Sequence, residues 1–357
     1  MKFVHLADLH LDAKFDSLSS IDGLPQKRRL EQRKALKDVV EYIKENDIKL
    51  FLISGDLYEQ NYIRKSSIEY VNKLFEEIPD TQIFIAPGNH DPYIKNSFYS
   101  TYTWSKNVHI FNENIEKIDF EDAHIYGFGF TDFYCKQSEI EEIQVEEPDD
   151  INILITHGSL DGGSDDLREY NPLRQSKLKQ LDFDYIALGH IHKPYYNEEK
   201  NQKIFYPGST ISLGFDELGE HGVLVGDIEK DELKVKFMTI DPRQYEEKEI
   251  DITEMTSNEE VLEKLQNLVL NNENLYKIIL VGKRYFTLNI DEIKKLNSRE
   301  NIVKIKDKTK VGIDIERIAE ENNVRGIFVR NILERKEREN LDEDFIEKAI
   351  EIGLEVL

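Results

Sequence analysis

Short apolar runs recur along the first 240 residues, and five of them end at a polar residue able to bind a metal ion. The clearest run, residues 185–188, leads into Gly189, His190 and His192. Side chains two positions apart after a strand point to opposite faces unless the chain turns, and Gly189 would permit such a turn. Four further predicted strands, at 2–7, 49–53, 82–86 and 151–156, lead into Asp8 and His10, into Asp56, into Asn89, His90 and Asp91, and into His157.

These polar residues can form one site only if the strands end at the same edge. The apolar stripe of Leu36, Val39, Val40 and Ile43 predicts a helix between the first two strands, which indicates a β-α-β unit. Ligands of an α/β sheet bind at the carboxyl ends of its strands, so we expect all five ends to converge. A single pair of histidines would equally suit the protein surface, but repetition at five strand ends favours a metal site.

The remaining pattern predicts an α/β (α+β) protein of several modules. From about residue 108 the strands shorten and alternate, which predicts a second sheet. A glycine-rich loop at 158–164 would suit substrate entry. We predict a main domain at residues 1–240, a small α+β domain at 241–311 and a helical tail at 312–357.

Two features of the C-terminal part suggest binding surfaces. Lys304, Lys306, Lys308 and Lys310 recur at period two in the last predicted strand, so we expect them to share one face. That face fits phosphate binding, and lysines on an edge strand equally serve to prevent aggregation. Apolar stripes on the tail helices need a partner surface, which is either this protein's own body or another chain.

Composition limits the partners and the compartment. The chain has 357 residues and a formal net charge of -24, from 47 basic and 71 acidic residues. This charge argues against indiscriminate binding to nucleic acid or to an anionic membrane, although bound cations or a local basic face would offset it. The single cysteine, Cys135, cannot form an internal disulfide, and no apolar run has membrane-spanning length, so we expect a cytoplasmic protein without membrane contact.

The residues at the strand ends define the chemistry. They include five of the nine histidines, together with carboxylate and amide groups but no thiolate. Such ligands suit Mn²⁺, Fe²⁺ or Zn²⁺ in a hydrolytic site rather than a structural zinc. So many ligands favour two ions, which can share a carboxylate and hold both sides of a phosphoryl displacement.

In this order, the five motifs resemble those of the calcineurin-like metallophosphoesterases. The resemblance implies two stacked sheets flanked by helices, that is, a two-sheet β-sandwich. It also implies one metal held by Asp8, His10, Asp56 and His192, and a second held by Asp56, Asn89, His157 and His190. His90 matches the family's general acid or transition-state stabiliser, and Asp91 its orienting partner.

The motifs at 55–58 and 206–209 are similar to those of the SbcD and YhaO-type DNA repair exonucleases. This closer resemblance implies two metal ions, preferably Mn²⁺ with Fe²⁺, Zn²⁺ or Mg²⁺ as alternatives, and a metal-activated hydroxide that cuts DNA from 3' ends and internally. It also implies a homodimer, DNA binding by residues 241–311, and an SbcC-like ATPase bound through the C-terminal helices. One position departs from the pattern, because some relatives have histidine where this chain has Glu59. The alternatives are a phosphoesterase for small phosphodiesters or phosphomonoesters, and a non-catalytic scaffold subunit.

Overall fold

The computed structural model describes residues 1–19, 21–161, 170–196, 202–230 and 232–357. Residues 162–164 of the predicted entry loop lie outside these ranges. The chain forms two compact units, one made of Met1–Glu246 with Asn272–Leu275, the other of Glu247–Asn271 with Tyr276–Leu357.

The first unit begins with alternating strands and helices, and strands predominate after residue 108. Its strands are β1 (Lys2–Leu6), β2 (Leu50–Ile53), β3 (Gln82–Ile85), β4 (Val108–Ile110), β5 (Glu116–Phe120), β6 (Ala123–Gly127), β7 (Ile151–His157), β8 (Tyr185–Gly189), β9 (Ile204–Phe205), β10 (Gly222–Glu229) and β11 (Glu232–Thr239). Its helices are α1 (Leu24–Glu45), α2 (Lys65–Glu76), α3 (Phe98–Thr101) and α4 (Gln175–Leu178), with 3-10 turns at Asp16–Leu18 and Ile140–Glu142.

In the described part of this unit the strands form two sheets. One has six strands in the order β11-β10-β1-β2-β3-β4, and the other has five in the order β5-β6-β7-β8-β9. Strands β1 to β4 run parallel to one another, as do β6 to β9, whereas the hairpin β10-β11 and the strand β5 are antiparallel to their neighbours. The carboxyl ends of β1, β2 and β3 therefore lie at one edge, and those of β7 and β8 at one edge of the second sheet.

The period-two alternation of the strands decides what each face contacts. Val4, Leu6 and Phe51 face the apolar stripes of α1 and α2. Phe3 and Leu52, on the opposite face, belong to a second core that also contains buried residues of β7 and β8. The predicted fold, two stacked sheets flanked by helices, is thus confirmed.

The second unit combines a small sheet with helices. Strands β12 (Tyr245–Asp251) and β13 (Leu275–Val281) continue into it, and they form a three-stranded sheet with β15 (Ile302–Asp307) in the order β12-β13-β15. Strands β14 (Lys283–Arg284) and β16 (Lys310–Val311) form a separate pair. The helices are α5 (Asn258–Gln266), α6 (Ile290–Leu296), α7 (Ile315–Glu320), α8 (Val324–Glu339) and α9 (Glu343–Val356).

The predicted lysine face is shorter than expected. Lys304 and Lys306 are exposed on β15, but this strand ends at Asp307 and Lys310 belongs to β16. The Asp307 carboxylate accepts hydrogen bonds from the backbone N–H of Thr309 (2.8 Å) and from its hydroxyl (2.6 Å). This local turn competes with strand pairing, so the four lysines do not lie on one continuous strand.

The C-terminal helices bury only part of their apolar stripes. Ile318, Val329, Ile346 and Ile350 pack together in a small core, while other apolar residues, such as Phe345 (61% exposed), face outward. The domain boundaries predicted at 240/241 and 311/312 stay predictions. Within the described ranges, no helix is both long and apolar enough to cross a lipid bilayer.

Candidate metal centre

The strand-end residues of the first unit converge. Asp8, His10, Asp56 and His157 are at most 1% exposed. Their ligand atoms, with those of His90 and His192, fall into three overlapping groups within which every atom lies less than 4.8 Å from the others. The groups are Asp8, His10 and His192; His10, Asp56 and His90; and Asp8, Asp56 and His157.

Unusual backbone conformations aim these side chains inward. Asp8, His10 and Asp56 have φ angles of 50°, 49° and 52°, and His190 has a φ of 102°. Such angles are costly for residues with a side chain, and they persist where the surroundings hold them. The turn that lets His190 and His192 reach one site therefore occurs at His190 itself, and not at Gly189 as the sequence suggested.

Two glycines allow the metal-binding groups to approach closely. A Cβ atom at Gly88 would lie 2.3 Å from an Asp56 carboxylate oxygen. A Cβ atom at Gly189 would lie 1.9 Å from the Ser54 carbonyl oxygen and 2.9 Å from His157 Nδ1. Because neither position has room for a side chain, the need for glycine is steric.

Two facing imidazoles form the first half of the centre. His10 Nε2 lies 3.1 Å from His192 Nε2. His10 Nδ1 donates to Glu59 (2.9 Å), and His192 Nδ1 donates to Glu217 (2.6 Å). With both Nδ1 atoms donating, the two Nε2 atoms face each other, so either a shared proton or a metal cation between them satisfies both. Metal-binding histidines are commonly held by carboxylates in this way, so the pair fits a metal site.

The second half of the centre is also built from side-chain nitrogen and oxygen atoms that lie close together. His157 Nδ1 donates to the Ser54 carbonyl oxygen (2.9 Å), and its Nε2 atom lies 3.0 Å from the Asn89 Oδ1 atom and 3.4 Å from an Asp56 carboxylate oxygen. His190 Nδ1 lies 3.2 Å from the same Asn89 oxygen. Asp56 also lies 3.8 Å from His10 Nε2, which places it between the two halves. The nitrogen and oxygen donors present therefore fit divalent cations such as Mn²⁺, Fe²⁺ or Zn²⁺.

The electrostatics of the centre favour positive charge. Burial lowers the pKa of His157, but the charge and hydrogen bond of Asp56, the charge of Asp8 and the hydrogen bond to Ser54 together raise that pKa to about 9. Burial also lowers the pKa of His192, but the hydrogen bond and charge of Glu217, together with the charges of Asp8 and Asp56, raise it to about 9. Burial and the neighbouring His157 together lower the pKa of His190 to about 3. The carboxylates thus attract cations, while His190 keeps a lone pair for coordination.

His90 lies at the open side of the centre. Its side chain is 44% exposed, and its Nδ1 atom lies 3.0 Å from Glu59. Burial lowers the pKa of His90, but the Glu59 hydrogen bond and the charge of Asp56 more than offset this and raise it to about 9. The Nε2 atom of His90 is therefore the nitrogen left for a substrate.

The sequence suggested that Asp91 orients the His90 ring, and in the structure the hydrogen bonds of the Asp91 carboxylate go to other groups. Its carboxylate is fully buried, and burial together with the charge of Asp56 raises its pKa to about 7. It accepts hydrogen bonds from the Tyr99 hydroxyl and from the backbone N–H groups of Asp56, Leu57 and Gly88. Asp91 thus holds the loops that carry Asp56 and Asn89, and Glu59 contacts His90 in its place.

Sequence reasoning missed two carboxylates. Glu59 was noted only as a departure from a pattern, although its position three residues after Asp56 places it on the same loop. Glu217 lies 25 residues after His192 and also accepts a hydrogen bond from the Ser209 hydroxyl (2.7 Å). Its only sequence signal is the nearby turn at 206–209, which brings Ser209 to the site.

Comparison with known proteins identifies the class. The profile of the family described as "Calcineurin-like phosphoesterase" matches residues 1–194, more than half of the chain. The chain therefore belongs to this family of hydrolases, whose members use divalent metal ions. The metal-binding and catalytic roles predicted for individual residues stay predictions.

The individual relatives described below share a quarter or less of their aligned residues with this chain. The chain is 25% identical over 264 residues to the uncharacterized metallophosphoesterase YhaO of Bacillus subtilis (strain 168), a match that covers 71% of this chain but only 64% of YhaO. It is 25% identical over 330 residues to SbcD, a subunit of the SbcCD nuclease of Staphylococcus epidermidis, covering 83% of each chain. Among solved structures, TT1561 of Thermus thermophilus matches with a TM-score of 0.40 and 10% identity, over 66% of this chain and 98% of TT1561.

Proposed function

We propose that this chain is a metal-dependent DNA repair nuclease that hydrolyses phosphodiester bonds from 3' ends and internally. The observation that carries the proposal is the pair of converging donor sets that share Asp56, with His90 exposed beside them. The similarity to SbcD of the SbcCD nuclease, over 83% of both chains, supports DNA as the substrate.

Seven residues would hold two divalent ions, with Mn²⁺ as the proposed metal. When bound, such ions supply Lewis-acid stabilisation of phosphate charge and a water of lowered pKa. The residues for one ion are Asp8, His10, Asp56 and His192, and for the other Asp56, Asn89, His157 and His190.

His90 would assist the leaving oxygen. With its pKa raised to about 9, the His90 ring carries a proton on each nitrogen near neutral pH. Its Nδ1 atom donates to Glu59, and its Nε2 atom can give its proton to the 3' oxygen when the phosphorus–oxygen bond breaks. The leaving oxygen takes both electrons of that bond together with the proton. A phosphodiester with a sugar alkoxide as its leaving group benefits most from this help.

The partners are also part of the proposal. We propose a homodimer that works with an SbcC-like ATPase bound through the C-terminal helices. Ile327 on α8 and Phe345 on α9 are 53% and 61% exposed, and such apolar side chains fit a helical partner. Co-elution of the chain with such an ATPase, lost when both residues are changed to serine, would test this contact.

A second candidate is a phosphoesterase for small phosphodiesters. The net charge of -24 favours it, because long-range repulsion slows the approach of a polyanion such as DNA. A small monoanionic diester is repelled much less.

One experiment separates these functions. Purified protein with Mn²⁺ is given end-labelled duplex DNA and, in parallel, a small diester such as bis(p-nitrophenyl) phosphate. We expect DNA cleavage that His90→Gln abolishes while metal binding persists. His124→Gln is the control, because His124 pairs with Asp119 (2.7 Å) outside the centre. Cleavage of the small diester alone would favour the second candidate, and DNA cleavage by His90→Gln would refute the role of His90.

A further inference from the structure

Glu59 joins two histidines of the centre through one carboxylate. Its Oε1 atom accepts a hydrogen bond from His10 Nδ1 (2.9 Å), and its Oε2 atom accepts one from His90 Nδ1 (3.0 Å). The two rings meet edge to face with their centroids 4.7 Å apart. The Glu59 side chain is only 14% exposed, so water competes little for either oxygen.

The backbone around Glu59 fixes this carboxylate in place. The N–H group of Glu59 donates to the Leu11 carbonyl oxygen (3.1 Å), next to His10 in the chain. The N–H group of Gln60 donates to the His90 carbonyl oxygen (2.9 Å). The segment 59–60 is therefore bonded to both chain segments whose histidines the carboxylate holds.

A fixed acceptor at Nδ1 decides what the other ring nitrogen can do. It selects the tautomer with the proton on Nδ1 and limits rotation of the ring, which leaves Nε2 for another partner. For His10 that partner is the cation site shared with His192. For His90 it is the open side of the centre. One carboxylate thus prepares a metal-binding histidine and a substrate-facing histidine together.

We propose that Glu59 is the positioning residue of His90, and that it sets the Nε2 atom of His90 to protonate the leaving oxygen. This inference rests on the proposed function and assigns to Glu59 the role that the sequence suggested for Asp91. His90 acts as the imidazolium, with its Nδ1–H group held by Glu59 and its Nε2–H group facing the leaving oxygen. As the phosphorus–oxygen bond breaks, the leaving oxygen takes the bonding electrons and the Nε2 proton. The water oxygen that forms the new bond to phosphorus loses a proton to solvent, and His90 regains its proton from solvent. Glu59 stays ionised and keeps its hydrogen bond to Nδ1.

Leaving-group dependence tests this role. DNA cleavage expels an alkoxide that needs a proton, whereas the p-nitrophenyl ester of thymidine 5'-phosphate expels a nitrophenolate that does not. At saturating Mn²⁺ we expect Glu59→Gln to lower kcat on DNA by about 10- to 100-fold and kcat on the ester by less than about 3-fold.

A matched control and a second readout complete the test. Glu116 forms the same kind of contact with His109 (2.9 Å), and neither residue belongs to the centre. Glu116→Gln should therefore leave both rates unchanged. NMR of the nitrogen-15-labelled His90 ring should show a downfield Nδ1–H signal in the unmodified protein, as expected for a hydrogen bond to a carboxylate, and an upfield shift or loss of that signal in Glu59→Gln. Equal losses on both substrates, or an unchanged Nδ1–H signal, would overturn the inference. The NMR result does not depend on catalysis. It therefore tests the contact between Glu59 and His90 even if the protein cleaves neither substrate and the proposed function fails.

Discussion

Replacing Gly189 by alanine probes the close approach of β8 and the loop after β2 at the metal centre. The added Cβ atom would lie 1.9 Å from the Ser54 carbonyl oxygen and 2.9 Å from His157 Nδ1. Atoms that are not bonded prefer separations of about 3.5 Å, so the carbonyl group would have to move by about 1.5 Å. That carbonyl oxygen accepts the hydrogen bond that orients His157 (2.9 Å). The substitution therefore forces a movement that breaks this bond.

The expected cost combines two effects. Overpacking in a tightly packed region costs about 1–3 kcal/mol, and a lost buried hydrogen bond adds about 1–3 kcal/mol. We expect Gly189→Ala to lower the free energy of unfolding by about 2–6 kcal/mol, the sum of the two. With His157 misoriented, the affinity for Mn²⁺ should fall by about 10- to 100-fold.

Urea unfolding of the metal-free protein measures the first effect, with the fluorescence of Trp104, the only tryptophan, reporting on the first unit. Calorimetric titration with Mn²⁺ measures the second. Gly214→Ala is the control, because the nearest atom to its added Cβ is Ser17 Oγ at 3.4 Å, and it should change stability by less than about 1 kcal/mol. If Gly189→Ala costs no more than this control, the steric argument is wrong.

Three further predictions follow from other parts of the molecule. Arg28 and Asp241 form a fully buried bidentate ion pair (2.7 and 2.9 Å), so Arg28→Leu should cost about 3–5 kcal/mol in urea unfolding; a loss below about 1 kcal/mol would show that Asp241 finds another partner. Burial lowers the pKa of His5 from 6.5 to about 3, so only the unfolded chain binds this proton between these values, and stability falls as the pH drops below 6.5. Between pH 7 and pH 5 the free energy of unfolding of the metal-free protein should fall by about 2 kcal/mol more than that of the His5→Gln variant. Equal losses would contradict a neutral, buried His5. Changing Lys304 and Lys306 to glutamine should reduce the salt dependence of DNA binding by a slope of up to about 2, and an unchanged slope would exclude this face from the DNA contact.

The sequence predicted the convergence of polar side chains where strand ends define it. Each apolar run stopped at a residue such as Asp8 or His157, and the sheet topology alone brings such ends together. Contacts made by loops could not be predicted in this way. Glu217 reaches His192 only because of how the chain folds between them, and the positive φ of His190 has no signature in residue type. The period-two spacing of the lysines predicted one strand through Lys310. The strand ends at Asp307 instead, because the Asp307 side chain forms a local turn with Thr309.

We propose that the two donor sets that share Asp56 would hold two divalent ions. Metal content and DNA cleavage, measured together on the unmodified protein and on Asp56→Asn, test this claim most directly. We expect the unmodified protein to bind two Mn²⁺ ions per chain and to cleave DNA, and Asp56→Asn to bind both ions weakly and to be inactive. Asp56→Asn that retains two tightly bound ions and cleaves DNA would contradict the account, as would unmodified protein that binds no Mn²⁺.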